Sequence, residues 1–409
     1  MRILLPEGSS MSARDIVFAL GRDHDVDVLD PSGLAQLRYS SLVDRFDRCP
    51  SFWREPQAYL DFLIERLQRH QYDVLLPSHE QVYLLSRCRD QLAPLTGLAV
   101  PEFETLNQMQ SKASFQRLMD ELSLPTPPTQ LISSAQEMRD HDAFPVFVKV
   151  DYSTAGNGVT KVTSREQMDG LASELEQQGL FDSPVELLLQ QPMTGKQCMG
   201  LGIFQEGRMV GCVKYHVRRP GKGGWGMNGE SVHHPSVIEH LECLGSHLNF
   251  HGAFFTEYFY DEASQSAYHI EANPRLGMLY FPDQCGIPFS DAFLRISLGE
   301  HVDRLPDAKT GVRFHQTFLS LISEARTGAS RSQLWREWQD ARHQRGFYEG
   351  SEDTITRPAD DFLSRIPATA VTALLLAYPK ASHWLVDRTL SNVSLPPEGA
   401  QAIRNLRPL

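Results

Sequence analysis

Apolar positions in the first hundred residues keep changing period. Residues 2–6 and 26–29 are short apolar runs that predict strands, and residues 73–77 predict a third. Residues 13–20 and 58–70 carry helical spacing, the second with Tyr59, Phe62, Leu63 and Leu67 on one face. Strands alternating with helices imply a parallel sheet with ligand loops at the strand carboxyl ends. Those loops hold Gly8, Ser9, Ser10, Ser78, His79 and Glu80. By loop position alone, Ser9, Ser10, His79 and Glu80 are equally candidate ligands and turn or capping residues. A second unit begins near Asn107. Residues 111–122 predict a helix stopped by prolines at 124–128, residues 144–150 a strand, 165–179 a helix and 185–191 a strand. The pattern continues to about residue 300, and from roughly 310 onward the chain reads as helical and proline-punctuated.

Candidate chemistry concentrates in a hairpin. Residues 252–260 predict an aromatic-rich strand, residues 261–266 a turn, and a second strand runs through 268–270 into Glu271 and Asn273. Glu271 and Asn273 are two apart and share a face on extended backbone. Folding the hairpin brings Glu257 beside them. Two carboxylates and an amide oxygen, with no Cys or His, are hard donors suited to Mg²⁺, with Mn²⁺ as an alternative ion. Such a cluster is what an enzyme needs to hold nucleotide phosphates. Lys149 precedes a loop containing Ser153, Thr154, Gly156 and Gly158, where small residues let backbone N–H groups approach phosphate.

Composition narrows the partners. The chain has 409 residues, 41% hydrophobic and 22% charged, enough for two or three lobes of an ordinary globular protein. A net charge of −12 without a basic stripe disfavours nucleic acid and anionic membrane as partners. Six scattered cysteines with no C-x-x-C pair read as reduced thiols. No signal-peptide core or bilayer-length apolar run occurs, so the expectation is a cytoplasmic protein. P-loop, G-x-S-x-G and H-E-x-x-H motifs are absent. A formal G-x-G-x-x-G at 224–229 has no strand directly before it and a poor helix start after it, so it is not read as a dinucleotide site.

Four pieces fall in a fixed order: Lys112 on a helix before a Pro-rich turn, Lys149 at a strand end, the segment 188–197, and the Glu257…Glu271-x-Asn273 hairpin. This order resembles the ATP-grasp superfamily of carboxylate–amine ligases, which includes D-alanine–D-alanine ligase, biotin carboxylase and carbamoyl-phosphate-synthetase-like proteins. The resemblance covers about residues 1–300 and is most specific at His269–Gly277. It implies an α/β (α+β ATP-grasp) fold: a Rossmann-like parallel-sheet domain over 1–107, an ATP-grasp domain over 108–305 with lobes at about 108–190 and 191–305, and a helical region over 306–409.

The resemblance also implies roles. Lys112 and Lys149 flank the triphosphate, the Gln191 carbonyl and Met193 N–H bind the adenine edge, and the Gln197 side chain binds ribose. The family usually has glutamate where this chain has Gln190 and Gln197; an amide still hydrogen-bonds hydroxyls. Lys214 joins the nucleotide set. In the family's Asn-Pro-Arg pattern Arg275 faces the reacting phosphate and carboxylate; apart from the resemblance, the basic loop 214–229 is read as bringing Arg218 and Arg219 toward the same oxygens. The implied reaction is ATP-dependent joining of a small carboxylic acid, an amino acid above all, to an amine through an acyl phosphate. The fold equally hosts carboxylases and kinase-like phosphotransferases, and the two glutamines leave a non-catalytic nucleotide-binding protein as a third reading. Implied partners are small molecules, with a homodimer left open.

Overall fold

The computed structural model describes residues 1–152, 158–182, 186–221, 228–355, 361–385 and 394–406. Three sheets organise them. The first is parallel: β1 (Arg2–Leu5), β2 (Asp25–Asp30), β3 (Arg45–Arg48) and β4 (Val74–Leu75) lie in the order β3-β2-β1-β4. The chain reverses its direction of addition between β1 and β4, so the loops after these two strands meet at a topological switch point. Ser10 caps the helix Met11–Leu20 by accepting from the Ala13 N–H. The helix Pro56–His70 starts on a proline, buries Tyr59, Leu60, Leu63 and Leu67, and ends at left-handed Gln71 (φ 46°). Phe62 is only partly covered at the margin of that core.

The second sheet is antiparallel and small: β5 (Thr129–Ile132), β6 (Val146–Val150), β7 (Val159–Val162) and β8 (Leu187–Gln190), in the order β5-β8-β6-β7. Helices Ala135–Asp140 and Arg165–Gln177 cover it through Met138, Met168 and Ala172. The third is the large one. It holds β9 (Lys196–Gln205), β10 (Arg208–Val217), β11 (Asn228–Ser231), β12 (Gly252–Asp261), β13 (Ser266–Asn273), β14 (Arg313–His315) and β15 (Ser351–Asp353), in the order β13-β12-β9-β10-β11-β14-β15. One face, through Met199, Leu201, Val213 and Tyr215, shares a core with Ile3, Leu5 and Val28 of the parallel sheet. The other, through Cys198, Cys212 and Tyr258, packs on the helix Pro235–His247.

The region beyond residue 310 departs from the expectation of helix alone. It contains helices Thr317–Arg326, Arg331–Arg342, Arg365–Ala377 and Pro397–Arg404, yet β14 and β15 extend the large sheet. Strands of three residues carry too little alternation to register as a pattern. Among the described residues no helix is long and apolar enough to cross a membrane.

A buried ion pair ties this region to the first sheet's helix. Arg14 donates to Asp361 at 2.6 Å, and Asp361 also accepts from Ser40 and from the Ser41 N–H. Removing one partner of such a pair strands the other charge. Asp361→Ala is expected to lower unfolding stability by about 3 kcal/mol in urea titrations; an unchanged midpoint would show that the region is held by other contacts.

Candidate active site

The β12–β13 ladder sets Glu257 opposite Glu271 and Phe255 opposite Asn273. Directly opposed residues of an antiparallel pair share a face, so the expected grouping of three oxygen donors forms. The register then shifts: Tyr258 faces His269, and Ile270 is the extra residue of a bulge. The Ile270 carbonyl accepts a hydrogen bond from Lys149 Nζ at 3.2 Å. Lys149 stands on β6, so the small sheet's lysine is brought onto the carboxylate strand of the large sheet.

Electrostatics follow from this crowding. Burial pushes Glu257 up to about 8, the facing Glu271 adds to the rise, and Lys149, Arg275 and a hydrogen bond from Gln197 oppose it. Burial pulls Lys149 down to about 8, Lys112 adds to the fall, and Glu271 and Glu257 oppose it. Asn273 Nδ2 donates to Glu271 at 3.3 Å, and Asn273 Oδ1 accepts from Arg275 at 2.9 Å. Arg275 forms a 3.1 Å ion pair with Glu80, which also accepts from Gln110 at 2.9 Å. Glu80 was legible only by loop position. It is 1% exposed and connects the first sheet's switch point to the hairpin.

The donor set fits a divalent cation. Two carboxylates and an amide oxygen are hard ligands, and the raised Glu257 marks a face short of positive charge. Among the described residues no group of three or more His, Cys, Asp or Glu is arranged to hold a metal. The third donor here is therefore an amide.

Lys112 opens the helix Lys112–Glu121, which Ser111 caps. Its backbone N–H donates to Asp151 at 2.6 Å while the Ser111 hydroxyl donates to the other Asp151 oxygen at 2.7 Å. Asp151, absent from the sequence reading, thus joins the helix start to the end of β6. Gly158 (φ 73°) closes the loop after β6, its carbonyl accepting from Val150 at 2.8 Å. Ser153, Thr154 and Gly156 lie outside the described residues. On the expected hinge, Gln190 is buried and donates to Thr129 at 3.0 Å, the Gln191 N–H donates to Pro128 at 2.9 Å, and Met193 is half-buried. Gln197 hydrogen-bonds the Glu257 carboxylate, so an amide stands where a third acid would add repulsion.

Two expectations need correction. Lys214 pairs with Gly200, which pairs with Thr256, so it occupies the sheet face opposite Glu257. There it is buried, 3.7 Å from the Cys212 sulfur. Period-two alternation decides the face, and the sequence does not print the register. Arg218 and Arg219 turn toward the C-terminal region and away from the hairpin. Arg218 donates to the Phe347 carbonyl at 2.9 Å, and Arg219 pairs with Glu337 and bonds the Tyr348 hydroxyl at 3.1 Å.

No family model matches the chain. It is 22% identical over 327 residues to the carbamoyl phosphate synthase large chain of Deinococcus radiodurans, a match covering 74% of this chain and 31% of that protein. The chain therefore spans about a third of the curated relative's length. Among solved structures it resembles the L-amino acid ligase from Bacillus licheniformis, with a TM-score of 0.58, 15% identity, and coverage of 74% of this chain and 76% of that one. The biotin carboxylase–β,γ-ATP complex from Campylobacter jejuni gives 0.58 at 14% identity, covering 74% and 71%. Phosphoribosylamine–glycine ligase from Thermotoga maritima gives 0.55 at 17%, covering 76% and 78%. At these identities the likeness shows that the chain shares the fold of these ligase and carboxylase structures, the fold that the resemblance to the ATP-grasp superfamily implies. Within this fold the small sheet carries Lys149, the large sheet carries the acids, and the bulge at Ile270 is where they touch.

The raised Glu257 has a measurable consequence. An acid whose folded pKa exceeds its unfolded value stabilises below the usual carboxylate range and loses that contribution as pH rises toward about 8. Without divalent ions, wild type is expected to lose roughly 2 kcal/mol relative to Glu257→Gln between pH 5 and pH 8, water access to the half-buried carboxyl limiting the effect. Millimolar Mg²⁺ should restore most of it. Parallel pH profiles of the two proteins would contradict the account.

Proposed function

We propose that this protein is an ATP-dependent ligase that activates a small carboxylic acid as an acyl phosphate and joins it to an amine, releasing ADP and phosphate. The observation that carries the reading is the meeting of Lys149 with the Glu257, Glu271 and Asn273 oxygens, next to Arg275. A divalent cation held by those three donors supplies the positive charge that a triphosphate and the two acids both need.

Each residue then has a task that needs no protein nucleophile. Lys149 and Lys112 present ammonium groups to the phosphate oxygens, and approaching anions favour the protonated form of Lys149. Gln190, at the end of β8, and Gln191 and Met193 just beyond it form the edge against which the base rests. Arg275, held between Asn273 and Glu80, presents its guanidinium to the substrate carboxylate. A carboxylate oxygen attacks the γ-phosphorus, the bond to the β-phosphate oxygen breaks, and ADP leaves. The amine nitrogen then attacks the acyl carbon, the carbon–oxygen bond to phosphate breaks, and nitrogen gives its proton to water. Positioning and charge stabilisation carry both steps. The divisions at 107/108 and 305/306 are the boundaries we propose for the units that host them.

ADP release is expected only when an acid and an amine are both supplied. Glu271→Ala is expected to reduce turnover by roughly 100-fold or more while leaving circular dichroism unchanged. Retained turnover in that variant would defeat the assignment of the cation site. Release with bicarbonate alone, or transfer of phosphate to a stable product, would place the protein among the carboxylases or phosphotransferases.

A further inference from the structure

Next to the hairpin lies a cavity of about 140 Å³ bordered by Arg275. Met11, Met199, Leu201, Phe255, Leu276 and Met278 form its apolar wall. A charge opposite to that of Arg275 also borders it: Asp15, on the helix Met11–Leu20, only 2% exposed. Asp15 Oδ1 accepts the Leu279 N–H at 2.6 Å and the Tyr280 N–H at 2.9 Å. Its Oδ2 accepts no hydrogen bond among the described residues. Gln316, which follows β14, brings an amide to the same wall, also without a side-chain partner among the described residues. Both groups therefore keep polar atoms uncommitted at one small cavity, where a ligand's polar atoms can bond them.

We infer that this cavity takes a small apolar α-amino acid, its carboxylate at Arg275, its ammonium at Asp15 and its hydrocarbon side chain against the methionine- and leucine-lined wall. The inference deepens the proposed ligase reading and rests on it for the fate of the carboxylate. Arg275 bonds Asn273, so the carboxylate end points back to the cation site where it is activated. The volume is close to the ~150 Å³ of an apolar cavity that holds a benzene ring, so side chains up to the size of leucine or methionine fit. Three methionines make an adaptable wall that accepts either. An acidic side chain would meet Asp15 and be repelled. Burial pushes Asp15 up to about 7, and an ammonium beside it favours the ionised form. The C-terminal region gains a role here, because Gln316 completes the wall.

Calorimetric titration with L-leucine, L-methionine and 4-methylpentanoate, each with and without MgADP, tests the assignment. Wild type is expected to bind both amino acids more tightly than 4-methylpentanoate, which lacks only the amino group of leucine. Asp15→Asn keeps an acceptor for the Leu279 and Tyr280 N–H groups but removes the charge. It is expected to weaken leucine binding about 10- to 100-fold and to leave 4-methylpentanoate unchanged. Equal affinity of wild type for leucine and 4-methylpentanoate, no binding of either amino acid, or undiminished leucine binding by Asp15→Asn would overturn the inference. Should Asp15→Asn fail to fold, Met278→Trp fills the cavity with Asp15 in place. Leucine binding must then disappear while MgATP binding persists, and its survival overturns the assignment. Binding is read without turnover, so leucine binding with no ADP release from any acid and amine supplied together, leucine among them, would sink the ligase reading and leave this pocket standing. ADP release with other acids and no leucine binding would do the reverse.

Discussion

Two carboxylates held face to face across a hairpin cannot both remain ionised without nearby positive charge. Glu257 and Glu271 are in that position, and Lys149 provides one cation from a different sheet. The rest of the site is arranged around this shortage. Gln197 puts an amide on Glu257, Asn273 puts an amide on Glu271, and Arg275 stands one step further out. Every neighbour in the set is neutral or positive, which is why we propose this face as the place of a divalent cation and a triphosphate together.

Three sheets have to meet for that to happen, and specific side chains make the joins. The bulge at Ile270 offers a carbonyl to Lys149 and so couples the small sheet to the large one. Asp151 accepts from both Ser111 and Lys112 and fixes the helix start beside β6. Glu80 reaches from the switch point of the parallel sheet to Arg275. A buried pair of this kind contributes geometry more than stability, since desolvation offsets much of its attraction. The same loops that build the first sheet's ligand edge therefore orient the arginine of the site.

Much of this was legible from residue order. The hairpin register could be read because Glu271 and Asn273 alternate on a strand and the turn at 261–266 is polar, and β13 formed as expected. Lys149 followed from an apolar run before a glycine-containing loop. What sequence could not give is which face of β10 each residue takes, because period two fixes alternation and not register; Lys214 was misplaced for that reason. Arg218 and Arg219 were drawn to the site by charge alone, whereas Glu337 and Phe347, far along the chain, claim them. Asp151 and Asp15 carry no motif: their importance comes from backbone N–H groups that only the fold brings near. The strands β14 and β15 are too short to show a period at all.

A crystal structure with Mg²⁺ and a non-hydrolysable ATP analogue tests the central claim most directly. The account predicts a metal ion about 2.0–2.1 Å from oxygens of Glu257, Glu271 and Asn273, shared with the phosphates, and Lys149 Nζ within hydrogen-bonding distance of a phosphate oxygen. A nucleotide bound elsewhere, with these three donors turned to water, would contradict it.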